Sequence, residues 1–338
     1  SVITLGSKTL TVTNDGFFFG NIQDGGLGGG TGGGLTLAAG AVLSLSGVNT
    51  YTGATTINEN AVLELDDSSV ISSSSIVNLA GSGAVFDISC GCINQQMIND
   101  LQGVAGSTVR LGDNSLIVGT ANSTTFAGVI DDFGGNGGLI KQGTGTLTLT
   151  GSNTYTGGTA IIGGLINFAT LDNFGTGNVT LDGGGVQWAT GNTIDISPRL
   201  EAIGVNGGTF DTNGNDVTLA TAISGLGGIT KAGSGTLTFT GVNTYAGATI
   251  INDGTLALSG SGSIAASSGV ELRAAGATFD ISGSTGNQTI QDLWGVADSI
   301  VALGNRTLTA GTSNTTIFSG VIADNGLGGG LGGSFTKV

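Results

Sequence analysis

Short runs in which apolar and polar residues alternate recur along the whole chain, and turns rich in Gly, Asn and Asp separate them. Thr55–Leu65, Thr159–Phe168 and Thr249–Leu258 each read as a strand, a turn and a second, alternating strand. Alternation with a period of two buries one face of a strand and exposes the other. The pattern therefore predicts β-strands and turns almost everywhere. Ile93–Val104 has apolar spacing that could form about two helical turns, but it lies between predicted strands and could equally be one more strand-bearing coil, so we predict no helix there.

One block of sequence organises these strands. It runs from Leu139 to Gly157 as LIKQGTGTLTLTGSNTYTG, returns at Ile229–Gly247, and occurs in a looser form at Leu35–Gly53. In all three copies the first apolar residue lies 16 positions before a tyrosine, and a fourth copy begins at Phe335. Repetition this regular is the signature of a repeat architecture.

The blocks divide the chain into unequal units, 35–138, 139–228 and 229–334, with partial units at 1–34 and 335–338. Each full unit holds more candidate strands than the four of a propeller blade, and the glycine tracts between strands vary in length. A solenoid tolerates such variation on its outside. We therefore predict one continuous all-β parallel β-helix over 1–338, with coils of about 20 residues. The segment around Trp188, Pro198 and Glu201 interrupts the rhythm, and we expect it to protrude as a loop.

Each block ends in an Asn-Thr-Tyr triplet followed by a glycine two residues after the tyrosine. We expect the asparagines to turn corners, because Asn tolerates left-handed geometry and bonds neighbouring backbone. We expect the glycines to supply positive φ. The asparagines are Asn49, Asn153 and Asn243, and the glycines are Gly53, Gly157 and Gly247. A binding role for the triplets is the alternative to this structural one.

Composition supports an ordered repeat protein. Of 338 residues, 67 are Gly and one is Pro, yet 38% are hydrophobic and the mean hydropathy is +0.32. Disorder needs low hydrophobicity and high charge, so a packed core is expected. The formal net charge of −15 disfavours nucleic acid and anionic lipid as partners. The chain opens directly on repeat-like sequence, SVITLGSKTL, which suggests an internal piece of a longer protein.

The repeated block resembles the passenger-associated transport repeat of bacterial autotransporters. Lys141–Leu165 and Lys231–Leu256 carry the pattern K-x-G-x-G-T-L-T-[LF]-T-G-x-N-T-Y-x-G nearly whole. The copy at Leu35 departs from it, with Ala38 read in place of the lysine and Ala41-Val42 in place of Gly-Thr. The resemblance implies a right-handed β-helical passenger, moved through the outer membrane by a C-terminal barrel outside this sequence. It also implies a role as stalk, adhesin or surface layer, and a contribution of the repeat to export and folding.

Candidate chemistry is sparse. The chain has no histidine, so neither a Ser-His-Asp nor a Cys-His arrangement can form within it. The carboxylate pairs Asp66-Asp67 and Asp131-Asp132 lack the cationic and aromatic neighbours that would grip a sugar chain. We therefore assign no catalytic, cofactor-binding or metal-binding residue.

Calcium is the minor alternative, because acidic residues at glycine-rich turns suit hard cations; solvated turn aspartates are the simpler interpretation. The residues concerned are Asp24, Asp131, Asp132 and Asp324. Cys90 and Cys92, in the string SCGC, form either a local disulfide or two thiols, and a metal site there would need further ligands.

These observations favour a non-catalytic structural segment of a secreted or cell-surface protein, acting as a rigid stalk, surface fibre or filament building block and aiding export. The alternative is an adhesin that binds through Trp188–Glu201 or through Phe17-Phe18-Phe19; a polysaccharide-acting enzyme is a weaker one. Expected partners are copies of the chain, packed end to end or side by side, the translocator barrel, and a host or matrix glycan or protein. The expected location is extracellular or at the bacterial cell surface.

Overall fold

A computed structural model describes residues 1–66, 69–90 and 94–338, which form two compact units, Ser1–Val179 and Thr180–Val338. We call these the N-terminal and C-terminal units. The division falls inside the predicted repeat unit 139–228 and not at a repeat boundary. That 1–338 forms one continuous β-helix stays a prediction.

Nearly all regular structure in the described residues is β-strand, and no α-helix occurs there. The strands that begin in the N-terminal unit are β1 (Val2–Thr4), β2 (Thr9–Val12), β3 (Gly16–Phe18), β4 (Asn21–Gln23), β5 (Gly34–Leu37), β6 (Val42–Leu45), β7 (Thr55–Ile57), β8 (Val62–Leu65), β9 (Ile76–Leu79), β10 (Val85–Asp87), β11 (Gln95–Met97), β12 (Asp100–Gly103), β13 (Thr108–Arg110), β14 (Ser115–Val118), β15 (Thr124–Phe126), β16 (Val129–Asp131), β17 (Gly138–Lys141), β18 (Thr146–Leu149), β19 (Thr159–Ile161), β20 (Leu165–Phe168) and β21 (Val179–Leu181).

The C-terminal unit continues the same pattern of short strands. They are β22 (Gly185–Trp188), β23 (Gly208–Asp211), β24 (Val217–Leu219), β25 (Ile229–Ala232), β26 (Thr236–Phe239), β27 (Thr249–Ile251), β28 (Thr255–Gly260), β29 (Gly269–Leu272), β30 (Thr278–Ser284), β31 (Gln288–Ile290), β32 (Asp292–Gly295), β33 (Ile300–Ala302), β34 (Thr307–Ala310), β35 (Val321–Ala323) and β36 (Ser334–Lys337). Short 3-10 helices cover Leu171–Phe174 and Ser197–Arg199. No helix in the described part of the chain is long and apolar enough to cross a membrane.

Within each unit the strands form parallel sheets, each strand pairing with strands of the preceding and following coils. In the N-terminal unit the main sheet has the order β2-β5-β7-β9-β12-β15-β18-β20, the second sheet β3-β6-β8-β10-β13-β16, and the third sheet includes β11-β14-β17-β19. The C-terminal unit has β22-β23-β25-β27-β29-β32, β24-β26-β28-β30-β33-β35 and β31-β34-β36. The prediction of an all-β parallel solenoid is confirmed.

Coil length varies around the predicted value of about 20 residues. Thr146 pairs with Leu165, 19 positions on, whereas Gly16 pairs with Leu43, 27 positions on. The longer coils contain extra turn residues between strands whose register is kept. Insertions are therefore absorbed in loops, as expected when the sheet ladder fixes the strands.

The core of each unit consists of inward side chains stacked from coil to coil. Leu43, Leu63, Phe86, Val109 and Ile130 occupy one register position in five consecutive strands of the second sheet, and none is more than 5% exposed. Burying an aliphatic or aromatic side chain of this size contributes about 1.5–3 kcal/mol. The alternating pattern read from the sequence is therefore the pattern that builds the ladder.

Two segments were open or unusual in the sequence. Residues 94–104, the described part of Ile93–Val104, form strands β11 and β12, in agreement with the prediction of strands and turns almost everywhere. Of the segment expected to protrude around Trp188, Pro198 and Glu201, the tryptophan is folded into the coil, whereas Pro198 and Glu201 are exposed. The Trp188 side chain is fully buried, its Nε1 donates to the Ile194 carbonyl at 2.9 Å, and Ile196 and Ile203 point into the core.

Candidate functional site

The tyrosines of the repeated block lie inside the solenoid. Tyr51, Tyr155 and Tyr245 are at most 1% exposed, and each hydroxyl shares a hydrogen bond of 2.6–2.7 Å with the threonine four residues on. Burial raises the pKa of Tyr51 and Tyr245. A phenol held in this way fills the core and satisfies its polar atom, so it is unavailable to a ligand.

The asparagines of the block connect three consecutive coils. The Asn153 side chain accepts from the Ile130 backbone N–H of the preceding coil at 2.8 Å and donates to the Asn173 carbonyl of the following coil at 2.6 Å. Asn49 and Asn243 make the equivalent pair of contacts. The predicted corner role is correct, but its mechanism is not left-handed backbone, since none of these asparagines has positive φ. Their amides replace ladder bonds where no strand is present.

The glycines that follow the tyrosines also lack positive φ, so that prediction is wrong. A Cβ on Gly157 would lie 2.3 Å from the Asn136 carbonyl oxygen, and one on Gly53 would lie 2.5 Å from that of Gly32. A Cβ on Gly247 would likewise lie 2.2 Å from the backbone nitrogen of Gly228 in the neighbouring coil. The block requires glycine here because adjacent coils approach too closely for any side chain.

Two lysines of the block are buried in the core. Lys141 Nζ donates to the carbonyls of Gln142 and Gly163 at 2.6 and 3.2 Å, and Lys231 Nζ donates to those of Gly233 and Asp253 at 2.6 and 3.2 Å. Both residues are 1% exposed. Burial lowers the pKa of each ammonium to about 8. Each lysine thus fastens the turn of its own coil to the turn of the next coil.

Strand register corrects the alignment of the first copy. Leu35 pairs with Thr55 and Leu37 with Ile57, just as Leu139 pairs with Thr159 and Lys141 with Ile161. Leu37, not Ala38, therefore takes the place of the lysine, and it is fully buried. An ammonium and an isobutyl group occupy equivalent core positions in one protein.

The turn aspartates use their oxygens internally. Asp24 accepts hydrogen bonds from the backbone N–H groups of Gly32, Gly33 and Thr52 and from the Thr52 hydroxyl, and the Thr52 contact lowers its pKa. Asp132 accepts from both groups of Thr156, at 2.9 and 2.6 Å. Asp324 accepts from the Gly332 N–H at 2.9 Å. These carboxylates brace glycine loops, and no group of three or more Asp, Glu, Cys or His positioned for a metal occurs among the described residues.

Asp131 belongs to a different arrangement, a row of ionisable side chains on the outer face of the second sheet. Glu64, Asp87, Arg110 and Asp131 occupy one register position in four consecutive strands. Arg110 lies 3.5 Å from Asp87 and stacks 5.2 Å from the Phe133 ring centroid. Burial raises the pKa of Glu64 and of Asp131. Sequence reasoning paired Asp131 with Asp132, but the two side chains serve different neighbours.

In the C-terminal unit the equivalent row consists mainly of alanine. Ala257, Asp280, Ala302 and Ala323 take the places of the charged residues. Asp280 accepts the backbone N–H of Leu327 at 2.7 Å, so the glycine-rich loop provides the donor that Arg110 provides to Asp87. The outer row is therefore ionic in one unit and covered by a loop in the other.

The two segments named for adhesion also differ in what they display. Trp188 is buried and packs against Phe210 at 6.3 Å between ring centroids. Phe17 and Phe19 are 73% and 79% exposed and stack at 6.5 Å, whereas Phe18 points inward. Of the two segments, only the phenylalanine segment displays aromatic rings at the surface.

Sequence reasoning missed a second internal brace. Asp100 accepts from the Thr120 hydroxyl at 2.8 Å and from the Asn122 amide at 2.7 Å, and Asp292 accepts from Thr312 and Asn314 in the same way. The bonds to Asn314 and Thr312 lower the pKa of Asp292. An Asp followed 20 and 22 positions later by Thr and Asn in both long units was the available signal. Cys92 and Asp67 lie outside the described residues, so the Cys90–Cys92 alternatives and the Asp66-Asp67 pair are not resolved by the described geometry.

Comparison with known proteins agrees with this architecture. The passenger-associated-transport-repeat family model matches residues 32–64, 139–166 and 229–258, and so includes the divergent first copy. The chain is also similar to a protein named Adhesin BmaC autotransporter, from Brucella suis biovar 1 (strain 1330). The two are 32% identical over 308 residues, covering 87% of this chain and 9% of that protein. No solved structure matches the chain. These matches support the assignment of the chain as an autotransporter passenger segment with passenger-associated transport repeats.

Proposed function

We propose that this passenger segment is a non-catalytic stalk that carries other parts of its parent protein away from the outer membrane. The observation behind the proposal is that the polar groups of the repeated block bind neighbouring coils. The Lys141 ammonium, the Asn153 amide and the Tyr155 hydroxyl all make hydrogen bonds inside the solenoid. Because these polar groups are engaged in hydrogen bonds within the fold, the block stiffens the solenoid and does not offer them to a substrate.

The same contacts support an export role for the block. Each Asn-Thr-Tyr triplet holds the coil before it and the coil after it, so a newly exposed coil finds preformed partners on its neighbour. Cooperative growth from coil to coil is the expected behaviour of a solenoid. The implied partner is an outer-membrane translocator barrel, and the implied location is the cell surface or the extracellular medium.

Surface display of the parent protein tests this function. We expect Asn153→Ala combined with Asn243→Ala to lower the amount of protease-resistant passenger at the cell surface. The control is Asn14→Ala combined with Asn78→Ala, which changes two asparagines on outer faces and should leave display near the wild-type level. Equal display of both variants would contradict the export role.

A binding screen tests the stalk function separately. Chain 1–338 should bind no specific ligand on glycan and matrix-protein arrays, and saturable binding would contradict a pure stalk.

An adhesin is the second candidate, and the exposed Phe17–Phe19 pair favours it. Two stacked rings on one outer face offer a flat apolar platform for a sugar ring or an apolar peptide side chain. The relative is itself named an adhesin. Binding of a host or matrix glycan or protein that is lost in Phe17→Ser/Phe19→Ser and kept in Phe133→Ser would support this candidate.

A further inference from the structure

One outer face of the N-terminal unit carries an uninterrupted row of uncharged hydrogen-bonding side chains. Each of eight consecutive strands of the main sheet contributes one residue to the row at a single register position. The row, which we call the neutral face, consists of Thr11, Thr36, Thr56, Asn78, Gln102, Thr125, Thr148 and Asn167. Its members are exposed or half-buried, and their neighbours in each strand point into the core.

The positions on either side of the neutral face are also without exposed charge. They hold small or apolar residues such as Ala54, Ile76, Ala80, Val104 and Ala127. Asp100 is the ionisable residue in these flanking positions. It is 3% exposed, and Thr120 and Asn122 donate to its carboxylate. The neutral face therefore lies in a strip about three residues wide in which no charge reaches the surface.

This strip contrasts with the rest of a strongly acidic chain. The outer row of the second sheet has Glu64, Arg110 and Asp131 at half-buried positions, and the chain as a whole has a net charge of −15. Two copies approaching through acidic surfaces repel each other and must desolvate unpaired carboxylates. Contact through the neutral strip desolvates no exposed carboxylate and keeps the acidic groups apart, so that only the longer-range repulsion between the net charges remains.

We propose that the neutral face is a self-association surface whose occupant is the neutral face of a second copy of this chain. Hydroxyl and carboxamide groups both donate and accept, so a row of them is complementary to itself. Two copies also share the same spacing of about 4.8 Å between coils, so contacts at one rung are repeated at every rung. An isologous interface with a two-fold axis needs this self-complementarity.

The area of the neutral face and its flanking positions indicates how strongly two copies should associate. Eight rungs extend over about 34 Å, and three outward positions over about 14 Å. The interface would bury about 500 Å² on each copy, near the lower limit for a specific complex. We therefore expect weak, reversible dimers in solution. Copies concentrated side by side on a surface would associate more strongly through effective concentration.

Sedimentation velocity of chain 1–338 over a concentration series of about 1–300 µM tests the proposal. The test variant is Gln102→Glu/Thr125→Glu, which places carboxylates in the centre of the neutral face. The control is Gln95→Glu/Thr108→Glu, which makes the same chemical changes on strands β11 and β13 of the other two sheets. We expect the wild type and the control to dimerise with the same affinity. The test variant should self-associate at least about tenfold more weakly, because the introduced carboxylates of the two copies repel each other.

Salt provides an independent readout. Because the interface contains no ion pair and the chains repel each other through net charge, dimerisation should strengthen as salt rises from about 20 to 300 mM. Circular dichroism and thermal unfolding of each variant show whether the fold is kept. A monomeric wild type, equal loss in test and control, or dimers weakened by salt would each overturn the proposal. None of these outcomes depends on whether the segment is a stalk or an adhesin.

Discussion

At the scale of single residues, the molecule buries lysines, which globular cores usually exclude, and gives each of them hydrogen-bond partners on two coils. These are Lys141 and Lys231, and a buried ammonium is costly unless its hydrogen bonds are made. Carbonyls of two successive turns surround each Nζ. Leu37 shows that the position also accepts an apolar side chain.

These lysines should leave a signature in the pH dependence of stability. Below pH 8 they are protonated in both the folded and the unfolded chain; between the folded pKa of about 8 and the unfolded value near 10.5, only the unfolded chain holds the protons. Stability therefore rises with pH across this window, by about 3 kcal/mol per lysine at most.

Lys141→Leu/Lys231→Leu, which copies the side chain found at Leu37, should abolish this rise relative to the wild type. Denaturant midpoints of both proteins at pH 7, 8, 9 and about 10 measure the difference. The raised pKa values of Tyr51 and Tyr245 act in the opposite direction at higher pH, but equally in both proteins, so they cancel. Parallel profiles would show that the lysines keep their ordinary pKa.

The block asparagine offers a second prediction at this scale. Asn153→Ala leaves the buried Ile130 N–H and the Asn173 carbonyl without their side-chain partner, which should lower stability by about 1–3 kcal/mol. Asn78→Ala removes an asparagine from an outer face and should change stability by about 0.5 kcal/mol or less. Thermal unfolding of the two variants compares them, and equal effects would mean that the coil-bridging contacts do not stabilise the fold.

At the scale of the coil, close approach between neighbours decides which residues the block tolerates. Parallel strands keep register through their ladder, so every turn must pass its neighbours at the same height. Where no strand is present, as at the Asn-Thr-Tyr triplet, backbone approaches backbone directly, and Gly157 fits because it has no Cβ.

Gly157→Ala should therefore destabilise the N-terminal unit by about 1–3 kcal/mol, since its Cβ would lie 2.3 Å from the Asn136 carbonyl oxygen and would force the coils apart. Gly28→Ala is the matched control, because nothing lies within 4 Å of its Cβ position and its φ is not positive. Limited proteolysis and thermal unfolding measure both. If the Gly157→Ala protein is as stable as the control, adjacent coils can move apart at little cost in free energy, and the prediction is wrong.

At the scale of the whole molecule, net charge acts against the fold. A charge of −15 on a chain with 8 basic residues gives few opportunities for local pairing. Like-charge repulsion weakens a compact state and is screened by salt. The Arg110–Asp87 ion pair reduces this like-charge repulsion at one place in the N-terminal unit.

We accordingly expect the thermal midpoint of chain 1–338 to rise by several degrees between about 10 and 150 mM NaCl. Arg110→Gln should increase this salt dependence, because it leaves Glu64, Asp87 and Asp131 without their cation. Arg273→Gln, which removes the partner of Glu271 in the C-terminal unit, is the comparison. A midpoint that does not respond to salt in any of the three proteins would show that net charge is not a destabilising factor.

Fold class follows directly from the order of residues, because period-two alternation and a repeated block admit few architectures other than a parallel solenoid. That order also identified the block residues as scaffold, since Asn, Tyr and Gly recur at fixed spacing. It misjudged how they act: Gly157 and Asn153 serve close approach and coil bridging, and neither has positive φ. The burial of Trp188 and the different neighbours of Asp131 and Asp132 become visible in the three-dimensional fold alone. The physical reason is that the contacts concerned join residues about one coil apart, and coil length varies from 19 to 27 residues. These contacts are Trp188 with Phe210, Asp131 with Arg110, and Asp132 with Thr156. Their register is set by the sheet ladder and not by local sequence.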